Sequence, residues 1–476
     1  MSACASAKGT QSYFTKERSR LAPTVLGATG LTVSRFGFGG YRVHELDPDH
    51  REALKSALRS GINLIDTSSN YTDGGSEKLI GEVLTEMFTA QEITREQIVI
   101  VSKAGYVQGK NMELAKERKS QGQAFPEMVE FSTDCWHNIS PQFLEEQITQ
   151  SLARLKLECI DVFLLHNPEY FLKTTTQRDG YYARIQRAFE HLEKEVTNGR
   201  IKSYGVSSNT FIDVDSSSEF TSLARVYDAA VTAGGGKVKN FAVIQFPFNL
   251  IESAAALMKN TNQQTVLEFA RDKKLGTLTN RPLNAIMRGR LTRLSSFPQY
   301  DQVEVKGQLH TVMGRVIELE KKFSGGKLPQ GLMWGQALKA GFQTIEDILM
   351  WRDVLFHQIL PSLDSALDRL QPSQMPWGNE YRTSALELLS LMTKNLESLG
   401  NERASLLSDQ IVVSAPSLKE TPTLSQKALR TYISVPGINS VLVGMKSVPY
   451  VDDVTRIGSV ISADEAMRLL SDLKKR

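Results

Sequence analysis

Four side chains stand where an apolar core would not place them. Asp66 closes the run Ile62-Asn-Leu-Ile-Asp66, Lys103 closes Ile98-Val-Ile-Val-Ser-Lys103, His166 closes Asp161-Val-Phe-Leu-Leu-His166, and Tyr71 follows Asp66 by five residues. A buried charge is expensive unless it is paired. An inward-facing aspartate and lysine on neighbouring strands are therefore expected to meet. The chemistry open to this set is proton transfer to or from a substrate oxygen. A free phenol has a pKa of about 10 and is a poor acid near neutrality. An ammonium beside Tyr71 would favour the phenolate and lower that value, with Asp66 holding Lys103 charged and in place. His166 would donate a hydrogen bond to the same oxygen and orient it. A lone histidine or lysine at a strand end is more often structural; the signal is the set of four.

Such a set needs strands that end side by side. Short apolar runs at Arg35–Gly39, Asn63–Asp66, Ile98–Lys103, Ile160–His166, Lys202–Ser207, Ala242–Gln245, Gly276–Asn280 and Ser440–Gly444 are candidate strands. Helical patterns fall between most of them, at His50–Ser60, Ser76–Phe88, Pro141–Leu155, Ile185–Asn198, Ala254–Lys273 and Ser425–Ser434. This alternation predicts parallel βαβ units. Eight strands with right-handed connections favour closure into an (α/β)₈ TIM barrel. An open doubly wound sheet is the competing reading, but no Gly-rich turn of the dinucleotide type follows the first strand.

Two stretches break the rhythm. Residues 105–140 form a polar loop longer than an ordinary βα connection. From about Arg290 to Leu418, the segments Val312–Phe323, Ile345–Leu370, Arg382–Leu399 and Glu402–Val413 are apolar at helical spacing, punctuated by Gly325-Gly326, Pro361, Pro372 and Pro376. They predict a mostly helical insertion after strand 7 with a small core of its own. The expected organisation is a flexible tail at 1–20, barrel strands 1–7 at 21–290, the insertion at 291–418 and the last α/β unit at 419–476. An insertion on the functional face of a barrel can cover the site, bind a partner or mediate self-association, or be a neutral embellishment.

Composition excludes several classes. The 476 residues are 41% hydrophobic and 23% charged with a net charge of +3, which implies no strong field for nucleic acid or an anionic membrane. No apolar run approaches the roughly 20 residues of a membrane span. Cys4, Cys135 and Cys159 lack metal-like spacing and fit a reducing interior, with Cys159 read as a small core hydrophobe. No His/Cys/carboxylate cluster suggests a metal, and no phosphate-binding P-loop appears. Residues 1–20 lack a secretory core and read as a disordered tail in a cytoplasmic protein, with mitochondrial or other organellar import as the alternative.

The ordered motifs resemble the aldo-keto reductase superfamily. Asp66-Thr-Ser-Ser-Asn-Tyr71 with Gly75-Ser-Glu77 is similar to its Asp-Thr-Ala-x-x-Tyr-Gly…Ser-Glu signature, Val101-Ser-Lys103 to its lysine strand and Leu164-Leu-His166 to its histidine strand. Gly199-Arg-Ile-Lys-Ser-Tyr-Gly-Val-Ser207 resembles its Gly-Lys-Ile-Arg-x-x-Gly-Val-Ser segment, Gln245 its strand-ending glutamine, and Leu424 through Gly444 its last helix and strand. Three departures stand out. Thr72 replaces a glycine, Ser207-Ser208-Asn209 carries an extra serine, and Asn280-Arg281-Pro282-Leu283 replaces aromatic-Ser-Pro-Leu. The wording His166-Asn-Pro-Glu-Tyr170 resembles a less studied branch.

The resemblance implies hydride transfer between a nicotinamide cofactor and an aldehyde, ketone or sugar carbonyl, or oxidation of the matching alcohol. Asp66, Tyr71, Lys103 and His166 would be catalytic. It implies that Ser207, Ser208 or Asn209 and Gln245 bind the carboxamide, that Arg281 and backbone near Leu283 lie by the diphosphate, and that Gly444, Lys446 and Ser447 meet the adenosine phosphate. Lys446 and Ser447 suit a 2′-phosphate, so NADPH is expected over NADH. The expected partner is a small-molecule carbonyl or alcohol, with no nucleic acid or membrane; a protein partner or self-association would use the insertion. The competing class is a regulatory subunit that holds the cofactor and acts by docking. A degenerate enzyme is disfavoured, since all four polar residues are present.

Overall fold

The computed structural model describes residues 4–15, 18, 21–287, 290–323, 327–329, 331–341 and 348–475. Each of the eight apolar runs is a strand: β1 (Phe36–Gly39), β2 (Leu64–Asp66), β3 (Val99–Ala104), β4 (Ile160–His166), β5 (Ile201–Ser207), β6 (Phe241–Pro247), β7 (Gly276–Asn280) and β8 (Ser440–Val443). They close into a barrel in the order β5-β6-β7-β8-β1-β2-β3-β4, every pair parallel. The runs are apolar throughout because strands under a helical ring are buried on both faces. Val99, Val101, Val162, Leu164 and Val243 are fully buried.

The register sets the site. Ser207 pairs with His166 on one side and Gln245 on the other, so three strands end at one level. Gly205 permits this: a β-carbon there would stand 1.6 Å from the Val243 carbonyl oxygen, where the β5/β6 register shifts.

The helices between strands largely follow the predicted pattern, including Pro48–Arg59, capped by Asp47, and Pro141–Leu155, which opens on proline. Three expectations differ. The single helix expected over Ala254–Lys273 is two, Ala254–Leu257 and Val266–Asp272; left-handed Asn262 and Gln263 turn the chain between them. Leu223–Ala233 is a further helix, capped by Ser222. The polar stretch 105–140 is structured, with a helix at Gly109–Ser120 and a small antiparallel sheet in which Trp136–His137 lies between Tyr106–Val107 and Val129–Glu130.

The N-terminus also departs from expectation. In place of a flexible tail, Ala7–Tyr13 is a helix capped by Ser6. Tyr13 is fully buried and its hydroxyl donates to the Leu58 and Ile62 carbonyls. The Ala5 N–H donates to Asp161 at 2.7 Å, and Lys202 donates to the Ala5 carbonyl at 2.6 Å. Cys159 is not a free core thiol, because it forms a disulfide with Cys4. Buried apolar area and satisfied polar groups order the segment despite its small, polar composition. Residues 1–3, 16, 17, 19 and 20 lie outside the described residues.

The chain divides into two compact units, the second comprising 286–416 and 422–425. That unit holds helices Gln302–Lys321, Trp334–Gly341, Ile348–Val354, Leu360–Leu367 and Met375–Ser414. Trp351, Leu363, Tyr381, Ala385 and Leu388 anchor its own apolar cluster. The two segments expected at Arg382–Leu399 and Glu402–Val413 are one 40-residue helix running through Gly400, and Pro361 falls inside a continuous helical run, directly after a π-helical turn at Leu355–Ile359. Residues 345–347 of the expected Ile345–Leu370 helix, and Gly325-Gly326, lie outside the described residues.

Candidate active site

The four singled-out side chains converge at the C-terminal ends of β2, β3 and β4. Lys103 is fully buried, with its Nζ 2.6 Å from Asp66 Oδ1 and 2.8 Å from the Thr67 carbonyl. Burial pushes the Asp66 carboxyl up and the Lys103 ammonium down, and the charge of each opposes the shift of the other. Asp66 Oδ1 also accepts Gln245 Nε2 at 2.8 Å, and Gln245 Oε1 accepts the Ser207 hydroxyl at 3.0 Å. A polar chain thus runs from Lys103 through Asp66 and Gln245 to Ser207, across four strands.

Tyr71 lies in the turn Tyr71–Gly74 after β2. Lys103 Nζ is 5.0 Å from its ring centroid, and the rings of His166 and Tyr41 stand edge-on at 5.8 and 5.1 Å. Thr72 adopts the left-handed φ of +47° where the resemblance has glycine, and its hydroxyl donates to the Val43 carbonyl at 2.8 Å. The lowered tyrosine pKa expected from the sequence is not found. Burial, Asp66 and Tyr41 push the Tyr71 phenol well above its usual value, because the Lys103 charge is spent on Asp66. Tyr71 therefore holds its proton.

His166 is held neutral: burial first, then Lys103 and His137, push it well below its usual value. Its Nδ1 lies 3.0 Å from the Ser68 hydroxyl, and its carbonyl is hydrogen-bonded to His137 Nε2 at 2.7 Å. Tyr106 packs edge-on at 4.7 Å. Ser68, Tyr106 and His137 are site residues the sequence reading passed over. Ser68 was in view, standing where the signature has alanine.

The expected cofactor residues occupy two places. Ser207 and Gln245 are joined directly, with Asn280 donating to Gln245 at 3.4 Å. Ser208 is turned toward Thr210, 3.2 Å away, and the Asn209 N–H donates to Glu169 Oε1 at 2.8 Å. Arg281, left-handed at φ +54°, pairs with Glu252 at 2.8 Å, and Leu283 is half-buried. After β8, Gly444 and Lys446 are exposed, and Ser447 occupies the N-cap position of helix Val448–Thr455 without a side-chain capping hydrogen bond. A nicotinamide cofactor fits this donor set on one observation. Glu169 Oε2, Thr279 Oγ1, Asn280 Oδ1 and Arg281 Nε are buried without hydrogen-bond partners, and three of these lie on consecutive residues at the end of β7. Buried polar atoms left unpaired in this way are uncommon.

The structure also groups side chains in which no metal cluster was expected. Ligand atoms of His44, Asp47 and His50 lie within 4.8 Å of one another. His50 Nδ1 accepts the His44 N–H at 3.3 Å, which leaves its Nε2 proton facing Asp47 at 3.5 Å. Both nitrogens of His50 are thus engaged, while His44 Nδ1 is buried without a hydrogen-bond partner.

Comparisons with known proteins give the family. Residues 35–306 match the model of the aldo/keto reductase family. The NADH-specific methylglyoxal reductase of Escherichia coli (strain K12) is 32% identical over 149 residues, 30% of this chain and 40% of that protein. Aldo-keto reductase YhdN of Bacillus subtilis (strain 168) is 23% identical over 281 residues, 58% and 66% of the two chains. The 6-dehydroglucose reductase of Novosphingobium aromaticivorans is 27% identical over 194 residues, 39% and 51%. The chain thus spans about half the length of the curated relatives it matches.

Proposed function

Since this chain belongs to the aldo/keto reductase family, we propose that it transfers hydride between NADPH and an aldehyde, ketone or sugar carbonyl, or oxidises the matching alcohol, with Tyr71 as general acid and base. The observation that carries this reading is the buried Lys103–Asp66 pair at 2.6 Å, set beside a Tyr71 phenol that retains its proton. When bound, the nicotinamide supplies or accepts the hydride.

The chain's own residues handle the proton and the orientation. Reduction turns the carbonyl oxygen into an alkoxide, and Tyr71 releases its proton to that oxygen as the charge develops. A phenolate left behind would stand near the Lys103 ammonium, which Asp66 keeps in place. Neutral His166 orients the oxygen by a hydrogen bond. Ser207, Asn209 and Gln245 would hold the carboxamide, Arg281 and the backbone at Leu283 the diphosphate, and Gly444, Lys446 and Ser447 the adenosine phosphate. Exposed Lys446 beside a helix N-terminus suits a 2′-phosphate, which favours NADPH over NADH. The names of two relatives, a methylglyoxal reductase and a 6-dehydroglucose reductase, direct the first tests to dicarbonyls and sugars.

A second reading, a cofactor-holding subunit that acts by docking, draws on Val303, Met350, Phe356, Leu406 and Val413, exposed apolar side chains on helices of the second unit. NADPH oxidation across aldehydes, ketones and sugars separates the two. Turnover abolished by Tyr71→Phe is the enzyme result, and tight NADPH binding without any turnover is the docking result.

A further inference from the structure

Glu169 is a buried acid that the hydride-transfer reading leaves without a task. It lies three residues past His166 in the turn Pro168–Lys173 and is 2% exposed. Its Oε1 accepts the Asn209 main-chain N–H at 2.8 Å, while Oε2 is enclosed and receives no hydrogen bond of normal geometry. The Ser208 hydroxyl and the Glu169 main-chain N–H also act on the carboxylate as hydrogen-bond donors, and burial still outweighs them.

The groups around it provide little charge compensation. The cation acting on it is Lys173 of the same turn, whose ammonium pairs with Glu219 at 2.8 Å. Tyr170 of that turn, Tyr106 of the small sheet and Tyr181 of helix Arg178–Thr197 face it. Tyr181 turns its hydroxyl to Thr221 at 2.9 Å. An acid this poorly compensated, on the turn that holds Asn209, points to a role toward a ligand bound there.

Resting on the reading that Ser207–Asn209 receives the nicotinamide carboxamide, we propose that Glu169 is a positioning and charge-selecting residue: it fixes the Asn209 turn, and its carboxylate favours the cationic oxidised nicotinamide over the neutral reduced one. The oxidised ring carries a positive charge that the reduced ring lacks, and charges interact strongly where water is excluded. Burial pushes the Glu169 carboxyl up to about 7, so the discrimination switches on in the neutral range. The direction follows from linkage. The cationic form stabilises ionised Glu169 and expels its proton, and reciprocally a rise in pH through about 7 tightens binding of the oxidised form. The neutral reduced form gains little. His166 is pushed well below its usual value, His137 down to about 4, and the three tyrosines up, so their charges stay fixed across this window.

The test is the ratio Kd(NADPH)/Kd(NADP+), from titrations of the full chain between about pH 6 and about pH 8.5. The ratio cancels the titration of the 2′-phosphate, which both forms share. It is expected to rise about 10-fold with pH in the native protein, the effect of a shift of one pKa unit. Glu169→Gln, which keeps an acceptor for Asn209, is expected to hold the ratio flat near its acidic value with NADPH affinity within about 2-fold of native. A pH-independent native ratio, or the same rise in Glu169→Gln, overturns the proposal. Calorimetry of the native protein in buffers of different ionisation enthalpy needs no variant: proton release on binding NADP+ and not NADPH is expected, and equal release for both overturns the proposal. Failure of the native protein to bind either form overturns the cofactor reading itself, which separates that failure from this one.

Discussion

Replacing Asp66 by asparagine removes one charge and almost nothing else. The side-chain shape is kept, and Gln245, which donates to Asp66 Oδ1 at 2.8 Å, can donate to the amide oxygen instead. Lys103 is left fully buried, with the Thr67 carbonyl at 2.8 Å as its remaining partner. It then has two options. It can stay charged, and breaking a buried pair by removing one partner costs about 3–5 kcal/mol. It can instead lose its proton, which from a reference pKa of about 10.4 costs about 1.36 × (10.4 − 7) ≈ 4.6 kcal/mol at pH 7. The cheaper option sets the cost, so the variant should lose about 3–4.6 kcal/mol at pH 7. The pH dependence has a definite sign. Lys103 in the variant has a folded pKa below its unfolded value, so the penalty is full at low pH and fades as pH rises toward about 10.4. By about pH 9 deprotonation costs only about 1.9 kcal/mol, and the loss of stability should fall to that level. Urea titration read by hydrogen exchange of peptides spanning β2 and β3 isolates the barrel from the helical unit. A loss below about 1 kcal/mol at pH 7, or one that does not shrink by pH 9, would refute a desolvated pair.

Further perturbations probe other parts of the site. Ser68→Ala removes the hydroxyl 3.0 Å from His166 Nδ1 and should lower kcat about 10-fold while leaving the NADPH Kd unchanged, because a neutral imidazole needs a partner to fix which nitrogen carries the proton. The His166 ¹⁵N shifts should show mixed tautomers in that variant, and an unmixed spectrum with native kcat would remove Ser68 from the account. Lys446→Ala should weaken NADPH about 10-fold and NADH by less than about 2-fold; equal losses would place Lys446 away from the 2′-phosphate. Denatured, unreduced protein should present one alkylable thiol, Cys135, and three after reduction, since Cys4 and Cys159 are bridged. Reduction should also lower stability by about 2–4 kcal/mol, and thermal melts with and without reductant check it.

The barrel was legible because its determinants are local. Strands buried on both faces are apolar without interruption, and the polar residues ending β2, β3 and β4 cannot be explained by packing. What was not legible depends on contacts between distant residues. Cys4 and Cys159 are 155 positions apart, and a small polar segment gives no sign that Asp161, Leu58 and Ile62 await it. Gly109–Ser120 carries Lys110, Glu113, Lys116 and Glu117 in place of an apolar stripe, so its helix follows from the small sheet beside it. The expected segments Arg382–Leu399 and Glu402–Val413 left Gly400 between them, yet a helix packed on both sides of it absorbs the cost of about 1 kcal/mol. Within the site, the Tyr71 pKa was misjudged because the sequence cannot say that Lys103 donates to Asp66 and Thr67. Glu169 was in plain view in His166-Asn-Pro-Glu-Tyr170, but its meaning depends on the Asn209 N–H, 40 residues away.

The most direct test of the central claim is NADPH oxidation by native protein and Tyr71→Phe with the same aldehyde, ketone and sugar substrates. Removing the phenolic hydroxyl should cut turnover by about 10²–10⁴-fold while NADPH still binds with native affinity. Turnover in Tyr71→Phe equal to that of the native protein would contradict Tyr71 as the proton donor and, with it, the mechanism drawn from Asp66, Lys103 and His166.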